Sequence, residues 1–355
     1  MKIHLFLILI TFTLFNKVNA QSMNYDIYGV DVGTQEKIIS CCEQQIKEYI
    51  RFHKTFNLKK PGEATLKKEL ALQKALLTKI NKVGSFGFSK LSSIYYPLLK
   101  DDYLTIDLVK KSESNRIPIS PKRTIKKNIS KPTELKQIFK LWNDYLEENL
   151  KLIYTQKTIK QKPCPVMHCI YGFDEQETKH TLLPLKKGTE KYKKNLMDII
   201  AHSDNEKERE TAIFILAHHN DPKEITHFLI QYSDDANPGV RNNAMRVLAL
   251  ALMKHDVPNL DINRIIQALN YPNVTDRNKA AFVLFSLAIK NDQYHSVITQ
   301  RAGPTLIKLL RLKQPNNHDI AHNILQTISR KKFADTDIKS WNKWIDTQMK
   351  PSNIA

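Results

Sequence analysis

The sequence predicts a mainly α-helical chain: a stack of helix pairs in the C-terminal half, preceded by a helical region that contains a short β-hairpin. Three observations carry this reading. Apolar residues recur at helical spacing through most of the chain. An Arg-x-x-Ala element returns at Arg209, Arg241 and Arg277, spaced 32 and then 36 residues apart. One window, "DDYLTIDLVKK" at residues 101–111, alternates polar Tyr103, Thr105 and Asp107 with apolar Leu104, Ile106 and Leu108, the period of a strand.

Residues 1–20, "MKIHLFLILITFTLFNKVNA", read as a secretory signal peptide, with a lysine, an apolar run and small residues ahead of Gln21. The run covers residues 5–15, well short of the roughly 20 residues that span a bilayer, and no later segment is apolar for long enough. The mature chain is therefore expected to be extracytoplasmic, periplasmic or secreted, with no transmembrane segment. Losing Lys2 and Lys17 with the signal takes the formal charge from +19 to +17, which favours acidic partners. Export places nucleic acid behind acidic protein, anionic lipid and polysaccharide.

Residues 21–110 form the N-terminal α+β region. "TQEKIISCCEQQIKEYIRFHKTF" and "GEATLKKELALQKALLTKINKVG" carry helical periodicity, and "GSFGFSKLSSIYYPLL" pairs with the alternating window as an antiparallel hairpin. Residues 111–132 form a basic linker, rich in lysine, proline and serine and expected to be mobile. Within it Lys122, Arg123, Lys126 and Lys127 make a basic arm suited to an anionic surface. Residues 133–188 hold a connecting helix with an apolar face of Leu135, Ile138, Phe139, Trp142, Tyr145 and Leu146, followed by the segment "KPCPVMHC". Asn128 and Asn273 lie in N-x-S/T sequons.

The four cysteines are Cys41, Cys42, Cys164 and Cys169. Export makes disulfides the default, with three pairings open. A bond from Cys41 or Cys42 to Cys164 or Cys169 would staple the N-terminal region to the repeats and, by the chain-entropy model, remove about 4 to 5 kcal/mol of unfolded-state freedom. The rival reading takes Cys164, His168, Cys169 and His180 as zinc ligands, although C-x3-H-C-x10-H is not a common zinc spacing.

In residues 189–330 the elements "RETAIFIL", "RNNAMRVL" and "RNKAAFVL" place Ala212, Ile215 and Leu216, then Ala244, Val247 and Leu248, then Ala280, Val283 and Leu284 on one helical stripe. Each follows a shorter amphipathic stretch, so helix pairs repeat. With "SDDANPGVRNNAMRVLALAL" the fullest match, this region resembles the HEAT-repeat family, and the unit around "QRAGPTLIKLL" is similar to an armadillo repeat. The resemblance implies a HEAT/armadillo-like α-solenoid whose second helices line a concave groove. On that reading Phe214, His218, Asn243, Arg246, Lys279 and Phe282 face the groove as a mixed aromatic and basic row suited to a protein partner, or the phenylalanines pack between helices. Arg209, Arg241 and Arg277 are assigned to an internal ladder with Asp204, Asp235 or Asp276. Residues 331–355 supply a capping helix, with Ile338, Trp341, Trp344 and Ile345 on its apolar side, and a tail.

Neither H-E-x-x-H nor G-x-S-x-G occurs, and no cofactor is expected. The expected function is that of an exported, non-catalytic scaffold that binds a protein through the groove. The alternatives are a basic protein of the envelope surface that binds anionic lipid or polysaccharide, and a zinc-dependent enzyme at the cysteine segment.

Overall fold

The computed structural model describes residues 24–54, 62–96, 99, 101–118, 124–126, 129–154, 164–169 and 175–349. The expected signal peptide, most of the basic arm (Lys122, Arg123 and Lys127) and the Asn128 sequon lie outside them. The described residues are mainly helical, with one small sheet. No helix among them is long and apolar enough to cross a membrane.

The sheet shows how the two halves meet. Its central strand, β3 (Asp101–Lys110), runs antiparallel to β2 (Phe86–Tyr96), which is the expected hairpin, with a register shift between Phe86 and Phe88. A further strand, β1 (Tyr25–Tyr28), pairs with β3 in parallel, Ile27 opposite Ile106, giving the order β1-β3-β2. Leu104, Ile106 and Leu108 turn to α1 (Val32–Lys54) and α2 (Glu63–Ile80), where Ile38, Ile46, Leu76 and Ile80 complete a core. A strand with a polar alternate face ordinarily shows that face to water. Here Thr105 and Asp107 are buried as well, because the repeats cover them.

Beyond a 3₁₀ turn (Lys111–Arg116) and α3 (Thr133–Tyr154) come α4 (Glu175–His202), α5 (Glu206–Leu216), α6 (Pro222–Leu229), α7 (Pro238–Lys254), α8 (Asn263–Ala268), α9 (Val274–Lys290), α10 (Gln293–Leu310), α11 (Pro315–Ser329) and α12 (Ile338–Met349). The helices start where side chains satisfy their first free amides. Asn205, Asp221, Asn237 and Gln314 each accept a hydrogen bond from the backbone N–H three residues on. Then α5, α7, α9 and α11 pack side by side in chain order, with α6 against α7, α8 against α9 and α10 against α11. The apolar stripes read from the sequence meet in one core that also takes in Leu135, Trp142 and Tyr145 of α3. At the far end α12 lies on α10, with Trp341 and Ile345 buried. Gly303 permits that approach, since a Cβ there would meet Ile345 Cδ1 at 2.6 Å.

The repeat arginines form the expected ladder. Arg209 grips both carboxylate oxygens of Asp235 and donates to the Ile200 carbonyl at 2.8 Å. Arg241 donates to Asp276 at 2.7 Å and to the Asp235 and Ala236 carbonyls at 2.6 and 2.9 Å. Asp204 takes no part: it is exposed. The third rung departs from the pattern, because the fourth unit has Asn317 where an aspartate would stand. Arg277 donates to Asn317 Oδ1 at 3.0 Å and forms its ion pair, at 2.8 Å, with Asp107 of β3. Arg277 also lies 3.9 Å from the ring centre of Tyr28 on β1.

This junction corrects the expected disulfide staple. The cysteines pair locally, Cys41 with Cys42 and Cys164 with Cys169, so no covalent bond joins the N-terminal region to the repeats. Polar contacts join them instead. Asp26 accepts from the backbone N–H groups of Lys313 and Gln314, the Tyr96 hydroxyl takes Gln314 and the Asn316 amide, and Lys90 reaches Asn273 Oδ1 at 3.1 Å. Asn273 is thereby buried, with Nδ2 on Asp276, and its sequon is covered. The linker is also tied down in its described parts. Arg116 bridges the carbonyls of Gly29 and Asn270, and Lys126 of the expected basic arm pairs with Asp198.

Candidate functional site at the disulfide loop

The sequence places the cysteine segment and the aromatic and basic row in separate regions. The fold brings them together. The Cys164–Cys169 disulfide closes a small loop, with its sulfur atoms bonded and its Cα atoms 5.8 Å apart. That loop lies on α5 and α7. The Met167 amide donates to the Ala217 carbonyl at 3.1 Å, where the turn after α5 leaves an acceptor open. The Lys254 ammonium, in the last turn of α7, donates to the Cys164 and Val166 carbonyls at 3.0 and 2.6 Å. Val166 and Leu182 form a small apolar contact beside the disulfide.

Under the loop the expected row is partly covered. Phe214, only 6% exposed, stacks on Trp142 of α3 at 5.6 Å between ring centres and meets His168 of the loop at 5.1 Å. His218, 2% exposed, turns its Nδ1 to the carbonyls of Phe214 and Ile215, and its ring edge meets Trp142. Neither Phe214 nor His218 belongs to an open surface, so the groove assignment of these two is corrected to packing. Asn243 is buried too and ties α7 to α5 through the Glu210 carbonyl at 3.0 Å. Arg246, Lys279 and Phe282 remain half-buried. Phe282 makes an edge contact with Phe285 on the same helix, and Lys279 donates to Asn278 Oδ1 at 2.9 Å.

Arg246, Lys254 and Lys279 bring positive charge to this place. Burial lowers the His168 pKa to about 3, helped by the charges of Arg246, Lys254 and Lys279 and by the cost of protonating it beside His218. Burial likewise lowers His218 to about 4. Lys279 is brought down to about 8, by burial first and then by Arg246. His168 Nδ1 is buried without a hydrogen-bond partner among the described residues. Lys254 was not singled out in the sequence, although a signal exists: it follows Arg246 by eight residues, two steps of i+4, on the same side of α7.

The zinc reading finds no support in this geometry. Cys164 and Cys169 are bonded to each other, the His168 ring packs on Phe214, and His180 sits 3.5 Å from Glu148. Among the described residues no group of three or more His, Cys, Asp or Glu is placed to hold a metal ion. No protein-family model, no curated protein and no solved structure matches the chain.

Proposed function

We propose that this chain is an exported, HEAT-like scaffold whose concave face binds an acidic segment of a protein partner at Arg246, Lys279 and Phe282. The observation that carries the reading is the row itself: two half-exposed cations and an aromatic ring on neighbouring helices α7 and α9, beside His168, whose pKa is lowered by burial and then by Arg246 and the lysines. Half-buried cations attract a carboxylate more strongly than fully hydrated ones, because less water screens them. Aromatic and arginine side chains are also the commonest anchors in protein interfaces. The stacked helix pairs and the arginine ladder support the solenoid. The signal-like first 20 residues and the two disulfides support an oxidising, extracytoplasmic address. The disulfide loop closes one end of the row and so confines the partner to its α7–α9 part.

The test is titration of the purified, oxidised protein with a fluorescent acidic peptide, read by anisotropy. Arg246→Ala with Lys279→Ala is expected to weaken binding by at least tenfold and to flatten its salt dependence. Equal binding by the double variant overturns the groove reading. Binding that instead depends on lysines 122, 126 and 127 transfers the activity to the basic arm.

A further inference from the structure

A second polar centre lies at the junction of the N-terminal unit and the repeats, away from the disulfide loop. A cavity of about 330 Å³, within the range of small-molecule sites, opens beside the edge strand β2. Among the described residues it is lined by Tyr49, His53, Glu69, Lys90, Ser93 and Thr275, with others. Ser93 and Leu91 share one side of β2. Leu91 is buried in the N-terminal core, whereas Ser93, two residues on, emerges where that core ends and meets the last turn of α1. There its Oγ lies 3.3 Å from His53 Nδ1. On the far side of the ring, His53 Nε2 lies 3.8 Å from Glu69 Oε1 of α2. Glu69 in turn accepts from the Tyr49 hydroxyl at 3.3 Å, and Asp102 Oδ1 stands 3.6 Å from His53 Nδ1.

We propose that Ser93 is a nucleophile activated by His53, and that this cavity hydrolyses a small polar ester. A nucleophile in reach of a base, and a base in reach of an orienting carboxylate, is the arrangement by which an ordinary hydroxyl becomes reactive. Unrelated folds reach it with residues in any chain order. When Nδ1 accepts the Ser93 proton, the ring carries its own proton on Nε2, facing Glu69. As Ser93 Oγ bonds to the ester carbonyl carbon, its proton passes to Nδ1, and the resulting imidazolium lies between Glu69 and Asp102. Collapse of the tetrahedral adduct breaks the carbon–oxygen bond, and the departing alcohol takes the proton from His53. Water then attacks the acyl group on Ser93, giving its proton to His53. The acid leaves and the proton returns to Ser93, so the net change is ester plus water to acid plus alcohol. The polar lining, Lys90 and Thr275 included, selects a short, hydrophilic acyl group over a fatty one. No G-x-S-x-G frames Ser93, which is why the site is invisible to a motif search.

The deciding experiment treats the full oxidised chain with a fluorophosphonate, which bonds to an activated serine as fluoride leaves, and locates the adduct by peptide mass spectrometry. The expected result is one adduct per chain, on Ser93, formed at least about 100-fold more slowly in His53→Gln and at the wild-type rate in Ser92→Ala. Glu69→Gln, which keeps an acceptor for Nε2–H, should label within about tenfold of wild type, while Glu69→Leu should not label; both rates are taken per folded molecule by circular dichroism. A folded wild-type chain that stays unlabelled, carries its adduct elsewhere, or labels at the same rate without His53 overturns the proposal. Because the wild-type reaction is decisive alone, a variant that fails to fold does not shelter it.

Discussion

Arg241 and Arg277 occupy the same position in successive helices, α7 and α9, yet their ion pairs lead to different parts of the chain. Arg241 reaches Asp276, at the start of the next repeat. Arg277 finds Asn317 in that place and pairs with Asp107, 170 residues earlier in the sequence. A repeat arginine thus joins its own repeat to whichever carboxylate stands at the next step, and at the third step that carboxylate belongs to another fold. The ladder is therefore also the seam between the two halves of the molecule.

The largest expected effect tests that seam. Asp107 and Arg277 are both 0% exposed, so Asp107→Ala leaves a buried guanidinium without its carboxylate, at a cost of about 3 to 5 kcal/mol. Asp276→Ala should cost a similar amount by stranding Arg241. The two variants differ in what else they loosen. Asp107→Ala should open the junction to proteolysis between the sheet and α9, while Asp276→Ala, which touches the junction only through Asn273, should open it far less. Urea denaturation followed by limited proteolysis separates the cases, and equal protection of the junction in both variants would show that Asp26, Tyr96 and Lys90 hold it without Asp107.

Next comes acid. His168 and His218 have pKa values lowered from the ordinary 6.5 to about 3 and about 4. The unfolded chain therefore takes up these protons first. Their neutral forms are fully compatible with the fold above pH 6.5, and stability falls as pH drops from there towards 4 and 3, by roughly 2 kcal/mol for each histidine at pH 5. Hydrogen exchange at the Met167 amide, which is bonded to Ala217, should rise in the same window. His218→Leu should reduce the pH dependence by about half. An unchanged profile in that variant would place the acid sensitivity elsewhere.

The two disulfides extend the comparison on a smaller scale. Cys164 and Cys169 are five positions apart, and by the chain-entropy model their bond contributes roughly 2 kcal/mol. Cys41 and Cys42 are adjacent, so their bond closes almost no loop and restrains the unfolded chain very little. Cys164→Ser with Cys169→Ser should lower the melting temperature by several degrees, and mild reduction of Cys41–Cys42 in that variant should add little.

How much of this was legible in the sequence follows the range of the interactions. Local period showed the helices: the stripes of Ala244, Val247 and Leu248 and of Ala280, Val283 and Leu284 are buried as read. Repetition also marked Asp204, Asp235 and Asp276 as candidate ladder partners, of which Asp235 and Asp276 take part. Asp107 was not legible, because its partner is set by Asn317 replacing an acid and by a docking that no local period encodes. β1 is only four residues long, too short for a pattern, and owes its existence to the exposed edge of β3. The row of Phe214 and Arg246 was visible as a helical face, but its covering was not. Trp142 and His168 arrive there through the folding of α3 and the cysteine loop.

The smallest expected effect has the opposite sign and bears on function. Lys279 is held beside Arg246 with a pKa lowered from 10.5 to about 8. A cation lowered in this way is stabilising only above its unfolded value, and that contribution is lost as pH falls from about 10.5 through 8. At neutral pH Lys279 is therefore a net burden on the fold. Lys279→Met keeps an unbranched apolar stem and removes the charge, and it should raise stability by about 1 kcal/mol at pH 7, with no gain near pH 11. The same variant should bind the acidic peptide several-fold more weakly. A residue that lowers stability while strengthening capture is kept in place by its ligand, whereas a gain in stability with unchanged binding would make Lys279 a solvated neighbour of the site and leave Arg246 and Phe282 as its anchors.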